Sequence, residues 1–260
     1  MSSRTPLIAG NWKMHKTGFQ AVEAASQLKG LVKHATDVEV MLAPAFTALY
    51  QVAQALKGSN IAVGAQNLYW EKQGAFTGEI SSEMLVEAGC THVIIGHSER
   101  RLFFGDTDAS VNRKIRAALS DSLVPVFCIG ETEAQREAGE TFSVLDKQVR
   151  DGLKDFVFDD LSGLVVAYEP VWAIGTGKTA SKEQAQEAHQ FIRSLLDTLF
   201  GKPFASAVRI LYGGSVKPDN VRALMEMPDV DGALVGGASL DPETFSKLVF
   251  YNQLLNRKRR

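Results

Sequence analysis

Glu169 follows directly on the apolar run Val165-Val166-Ala167-Tyr168. A carboxylate leaving a buried strand needs a partner or a purpose, because a charge out of water is expensive unless compensated. Four other apolar runs close on chemically useful groups: Gly10-Asn11-Trp12-Lys13, Gly96-His97-Ser98-Glu99, Gly213-Gly214-Ser215 and Gly236-Gly237-Ala238-Ser239. Together they offer an ammonium, an imidazole, carboxylates and two glycine pairs. A carboxylate base facing hydrogen-bond donors suits proton abstraction beside a carbonyl, with the donors stabilising an enediolate. Paired glycines let backbone N–H groups approach an anion closely, so a phosphate-bearing small molecule is implied. Ser215, just before an expected helix start at Pro218, adds a hydroxyl or N–H. Alone, Lys13 reads equally as a surface lysine and Asn11 as a turn residue, and a lone His97 is more often a hydrogen-bonded loop histidine than a catalyst. Their convergence argues for a site only if one fold gathers the ends of these runs.

The spacing supplies such a fold. Apolar runs begin at Leu7, Val38, Ile61, Val93, Val124, Leu164, Val208 and Ala233, about 32 residues apart on average, the size of a strand–helix unit. The runs are mostly continuous, as expected of parallel strands buried on both faces. Helical stripes fill the intervals: Phe19, Val22, Ala25, Leu28 and Val32; Val111, Ile115 and Ala118; Ala185, Ala188, Ile192, Leu195 and Leu199. Ser181 with Gln184 predicts a capping box, and Asp241-Pro242 an N-cap followed by proline. Alternation of this kind has two solutions, an open doubly wound sheet or a closed barrel. Regular spacing without a linker favours the barrel, a single (β/α)8 α/β domain over residues 1–260 whose catalytic groups sit at the C-terminal ends of the strands. The segment from Pro170 to Thr179, with apolar Trp172 and Ile174 between flexible glycines, suits a lid that covers the site and excludes water.

Composition removes other classes. The 260 residues are 45% hydrophobic and 22% charged, with 28 basic and 30 acidic side chains giving a net charge of −2. No bulk basic excess marks a nucleic-acid binder, and no apolar run approaches the length of a membrane span. The basic Arg257-Lys258-Arg259-Arg260 reads as a solvated tail at a frayed helix end. Cys90 and Cys128 cannot form a disulfide framework and read as reduced, buried thiols. With no apolar segment in the first residues, a cytoplasmic location is expected. Gly177-Lys178-Thr179 lacks the earlier glycine of a nucleotide phosphate loop, since Trp172 stands there. Gly175, Gly177 and Ala180 fit a dinucleotide fingerprint only in spacing, for no strand leads directly into them. Cys90 and His92 have no further ligands for zinc. A Schiff-base aldolase would want a lysine within a barrel strand, and none of the runs contains one. A binding module without chemistry would not be expected to keep both Glu169 and His97.

The chain resembles the triosephosphate isomerase family. The resemblance is carried by Gly10-Asn11-Trp12-Lys13-Met14, Gly74 through Glu79, Ile95-Gly96-His97-Ser98-Glu99-Arg100-Arg101, Ala167 through Lys178, Tyr212 through Val216, and Leu234 through Leu240. It implies interconversion of dihydroxyacetone phosphate and glyceraldehyde 3-phosphate in glycolysis and gluconeogenesis, without metal or cofactor, by a homodimer. The resemblance, and not the spacing, supplies the roles: Glu169 as the base and His97 as a neutral electrophile. Lys13 would meet the substrate's charge, Asn11 a substrate oxygen, and Glu99 would hold Lys13. Gly175, Ser215, Gly236 and Gly237 would cradle the phosphate. Pro170, Val171, Trp172, Ala173, Ile174, Thr176, Gly177 and Lys178 would form the lid, with Tyr212 as its latch. Thr77 would reach into a second subunit near Lys13. A helix starting at Ser98 would further lower the His97 pKa through its dipole.

Overall fold

The computed structural model describes residues 4–175 and 178–253. Among these residues eight parallel strands close into a barrel in chain order. They are β1 (Leu7–Asn11), β2 (Glu39–Ala43), β3 (Ile61–Ala65), β4 (His92–Ile95), β5 (Val124–Ile129), β6 (Val165–Tyr168), β7 (Arg209–Tyr212) and β8 (Gly232–Val235). Closure is made by β1 against β8, with Leu7 opposite Gly232 and Gly10 opposite Val235. Gly232, at φ +149°, is required there, since a Cβ would lie 2.0 Å from the Leu7 carbonyl oxygen.

The two-residue period of a strand sorts the barrel into two cores. Leu7, Ala9, Met41, Ala43, Ile94, Val126, Cys128, Val165, Ala167, Leu211 and Leu234 fill the interior. Ile8, Val40, Leu42, Val93, Ile95, Phe127, Val166 and Ile210 face outward and pack with the helices. Burial on both faces accounts for the unbroken apolar runs. The same period turns Asn11 and Glu169 inward at the upper rim, in step with Leu7 and Ala9, and with Val165 and Ala167.

Helices cover the outside. Ser181 and Gln184 form the expected capping box at the start of Lys182–Phe200, and Asp241 caps Pro242–Val249. Val111, Ile115 and Ala118 are fully buried. The first helix, Gly18–Val32, differs from its expected stripe: it buries Ala21, Ala24, Ala25, Leu28 and Val32 and leaves Phe19 82% exposed. Small alanines let this helix approach the barrel closely, and its first turn projects beyond the packed face. Pro218 does not start a helix; it lies in a turn before Val221–Met225. No helix among the described residues is long and apolar enough to cross a membrane. The expected basic tail at 257–260 lies outside the described residues.

Candidate active site

At the C-terminal rim, Asn11, Lys13, His97, Glu169, Ile174, Gly175, Ser215, Gly236 and Gly237 line one pocket of about 290 Å³, with Gly213, Gly214 and Lys217. Residues from five strand ends and the lid segment therefore meet around a space suited to a small ligand.

Lys13 sits at φ +51°, sparsely populated for a side-chain-bearing residue. The local network holds it there. Its N–H donates to Asn11 Oδ1 at 3.0 Å, and Gln66 Nε2 donates to its carbonyl at 2.9 Å. The ammonium lies 2.6 Å from Glu99 Oε1. Gln66 carried no sequence signal, because its contribution is one amide placed by the β3 end.

His97 is the N-cap of Ser98–Phe104, and its Nδ1 accepts the Glu99 N–H at 3.2 Å. A nitrogen that accepts cannot carry a proton, so this contact specifies a neutral ring protonated on Nε2. Nε2 lies 2.9 Å from Glu169 Oε1, but the alignment is poor and Oε1 has no well-formed hydrogen bond. Glu169 Oε2 accepts the Ser98 N–H at 2.8 Å. Burial pushes the Glu169 pKa up, but His97, the Ser98 N–H and Lys13 together hold it below the ordinary carboxylate value. Burial pushes the His97 pKa down, yet the adjacent carboxylate raises it above its ordinary value. The expected lowering by the helix start is thus outweighed while Glu169 rests beside the ring.

Two glycines make room for these groups. A Cβ on Gly213 would strike Glu169 Cγ at 2.8 Å, and one on Gly214 would meet the Tyr212 hydroxyl at 2.3 Å. Tyr212 is buried, and burial pushes its hydroxyl pKa up to about 12.

The lid residues divide. Pro170 leads into a tight turn over Val171–Ala173, and Ile174 with Gly175 lines the pocket. Trp172 does not cover the site as expected. Its Nε1 donates to Glu131 Oε1 at 2.8 Å, and Arg136 stacks on its ring. Glu131 is fully buried and also accepts from the Tyr168 hydroxyl at 3.1 Å. An indole N–H in reach of a buried carboxylate is held there and not over the pocket. Lys178 is exposed and pairs with Glu133. Thr176 and Gly177 lie outside the described residues. Thr77 is exposed in the loop after β3, where the Tyr69 and Phe76 rings meet at a tilt with centroids 4.7 Å apart; it does not line the pocket. Sequence reasoning passed over Glu131, although Gly130-Glu131 after β5 carries the same signal as Glu169 after β6. Among the described residues, no group of three His, Cys, Asp or Glu is placed to hold a metal ion.

The family model described as triosephosphate isomerase matches residues 6–252. A triosephosphate isomerase of Geobacter metallireducens is 58% identical over 248 residues, covering 95% of this chain and 99% of that protein. One from Endomicrobium trichonymphae is 56% identical, covering 96% and 100%. The crystal structure of triosephosphate isomerase from Bartonella henselae superposes with a TM-score of 0.87 at 37% identity, covering 96% of this chain and 99% of that one.

Proposed function

The chain belongs to the triosephosphate isomerase family, and on that premise we propose how its rim residues divide the work. The enzyme interconverts dihydroxyacetone phosphate and glyceraldehyde 3-phosphate. Glu169 takes a proton from the carbon beside the carbonyl; the C–H electron pair becomes the enediolate double bond, and the carbonyl oxygen takes up the charge. The His97 Nε2–H and the Lys13 ammonium meet that charge. His97 then moves a proton between the two oxygens, and Glu169 returns its proton to the neighbouring carbon. Nothing is oxidised overall.

Asn11 contacts a substrate oxygen, and Glu99 holds Lys13. The N–H groups of Gly175, Ser215 and Gly237, beside Gly236, receive the phosphate. Within the segment from Pro170 to Lys178, Ile174 and Gly175 close over the site while Trp172 anchors the segment on Glu131, and Tyr212 latches it. The observation that carries this assignment is the 2.9 Å approach of Glu169 to His97 at the wall of the glycine-lined pocket. In that pose the base is buried yet incompletely hydrogen-bonded, so a substrate C–H can claim it. A coupled isomerisation assay, with chelator and no added cofactor, should show turnover in the parent and almost none in Glu169→Gln. Robust turnover by that variant would remove Glu169 from the role of base.

The working unit is a homodimer in which Thr77 reaches the neighbouring subunit near Lys13. Support comes from exposed apolar side chains after four adjacent strands: Met14, Phe46, Phe76, Leu102, Phe103 and Phe104. A monomer would leave that half of the rim in water. Ultracentrifugation at assay concentration should give twice the chain mass; a fully active monomer would contradict it. A cytoplasmic location belongs to the same reading, supported by the buried thiols Cys90 and Cys128, which are free of a disulfide.

A further inference from the structure

Glu169 is set on the backbone of the preceding strand end. Its N–H donates to the Ile129 carbonyl at 2.7 Å, and the Val171 N–H donates to the Glu131 carbonyl at 3.1 Å. Between these two bonds lies Gly130, packed so tightly that a Cβ there would sit 1.7 Å from the Glu169 carbonyl oxygen. Gly130 must therefore be glycine, and it has the backbone freedom that glycine brings. A displacement of Gly130 passes directly to the Glu169 backbone, because the two are in contact.

The constraint on Gly130 comes from outside the barrel. Gln148, on the helix Thr141–Gly152, accepts the Gly130 N–H at 2.8 Å through Oε1 and donates through Nε2 to the Gly130 carbonyl at 3.2 Å. One carboxamide thus pairs both polar groups of one residue, as a neighbouring strand would. On that side the chain opens onto a groove of about 1000 Å³ lined by Gly130, Gln148, Glu169 and Val171. Space behind Gly130 means that loss of the amide would let the segment drift outward.

We propose that Gln148 is a positioning residue for the reaction, fixing through Gly130 the backbone from which the Glu169 carboxylate swings. This deepens the assignment of Glu169 as the base and rests on it. Gln148 touches neither substrate nor the reacting atoms, and it lies away from the glycines that receive the phosphate. Its loss acts on proton transfer more than on substrate binding. Misplacement of a reacting group by about 1 Å costs roughly 10²-fold in rate, so a partial drift gives about tenfold.

The test compares Gln148→Leu, which removes both bonds, with Gln148→Glu, which keeps the acceptor for the Gly130 N–H but loses the donor to its carbonyl. Lys147→Ala serves as a control on the same helix; its ion pairs with Asp108 and Asp151 lie outside the clamp. Gln148→Leu should lower kcat by about tenfold with KM within about twofold. Gln148→Glu should fall between it and the parent, and Lys147→Ala should match the parent. Melting temperatures show whether each variant is folded at the assay temperature. If Gln148→Leu does not fold, the Gln148→Glu comparison decides alone. Unchanged kcat in the folded Gln148 variants, or a kcat loss matched by Lys147→Ala, overturns the proposal. Glu169→Gln measured alongside separates the failures: if it stays active the base is wrongly assigned, and if it is dead while both Gln148 variants match the parent, only the clamp is wrong.

Discussion

His97 Nε2 lies 2.9 Å from Glu169 Oε1 while His97 Nδ1 accepts the backbone N–H of Glu99. The ring is therefore fixed at Nδ1 by a backbone dipole, while Nε2 faces a carboxylate without a well-formed hydrogen bond to it. Without the Glu169 carboxylate beside the ring, the largest upward pull on the His97 pKa goes, leaving burial and Lys13, which lower it, against the smaller upward pull of Glu99. The neutral, Nε2-protonated ring that the Glu99 contact specifies is favoured once that carboxylate is gone.

The first expected outcome follows from that sign. Replacing Glu169 by Gln removes the carboxylate charge and leaves burial and Lys13 in place, opposed only by the smaller pull of Glu99. The His97 pKa should then fall below that of the parent. Nitrogen-15 NMR titration of the ring in both proteins measures this directly. An equal or higher pKa in Glu169→Gln would mean that Glu169 is not what raises it.

The lid should protect the enediolate as well as speed its formation, because an open enediolate phosphate can expel its phosphate. Replacing Ile174 through Gly177 by a shorter linker removes the Ile174 and Gly175 wall of the pocket and spares Glu169 and His97. Isomerisation should drop by several orders of magnitude, and much of the substrate turned over should leave as methylglyoxal and inorganic phosphate. The product ratio per turnover decides the matter. Slow isomerisation without extra methylglyoxal would restrict the lid to positioning.

Acid sensitivity should trace in part to His189. It is fully buried, with Nδ1 3.1 Å from the Asp229 carbonyl and its ring between those of Tyr168 and Tyr212. Burial holds its pKa down at about 4, from an ordinary 6.5. The folded state binds this proton less readily than the unfolded chain. Its contribution is complete above about pH 6.5 and is lost as pH falls toward 4, on the order of 3 kcal/mol in all. Urea unfolding at pH 7 and pH 4.5 should show a smaller acid loss in His189→Gln than in the parent. Equal losses would place the acid sensitivity elsewhere.

The barrel was legible in the chain because burial on both strand faces leaves a mark of continuous apolar runs. Each expected strand begins within one residue of the observed one. The rim residues were legible for a related reason: Glu169 and Lys13 are charges placed where a buried strand ends. What escaped was set by tertiary contact. The apolar type of Phe19 suggested the packed face, but close helix approach selected Ala21 and Ala24. Trp172 has the type expected of a cover, yet the buried Glu131 carboxylate draws its indole N–H aside. The raised His97 pKa depends on a carboxylate 72 positions further along the chain, which the local Ser98 helix start could not reveal.

The most direct measurement is steady-state kinetics of Glu169→Asp. The substitution keeps the negative charge and withdraws it by one methylene, on the order of 1 Å, while the glycine cradle is untouched. With Glu169 as the base, kcat should fall roughly 10²-fold and KM should change much less. A variant within about threefold of the parent kcat, a barrier change of only about 0.7 kcal/mol, would show that the proton is taken by some other group.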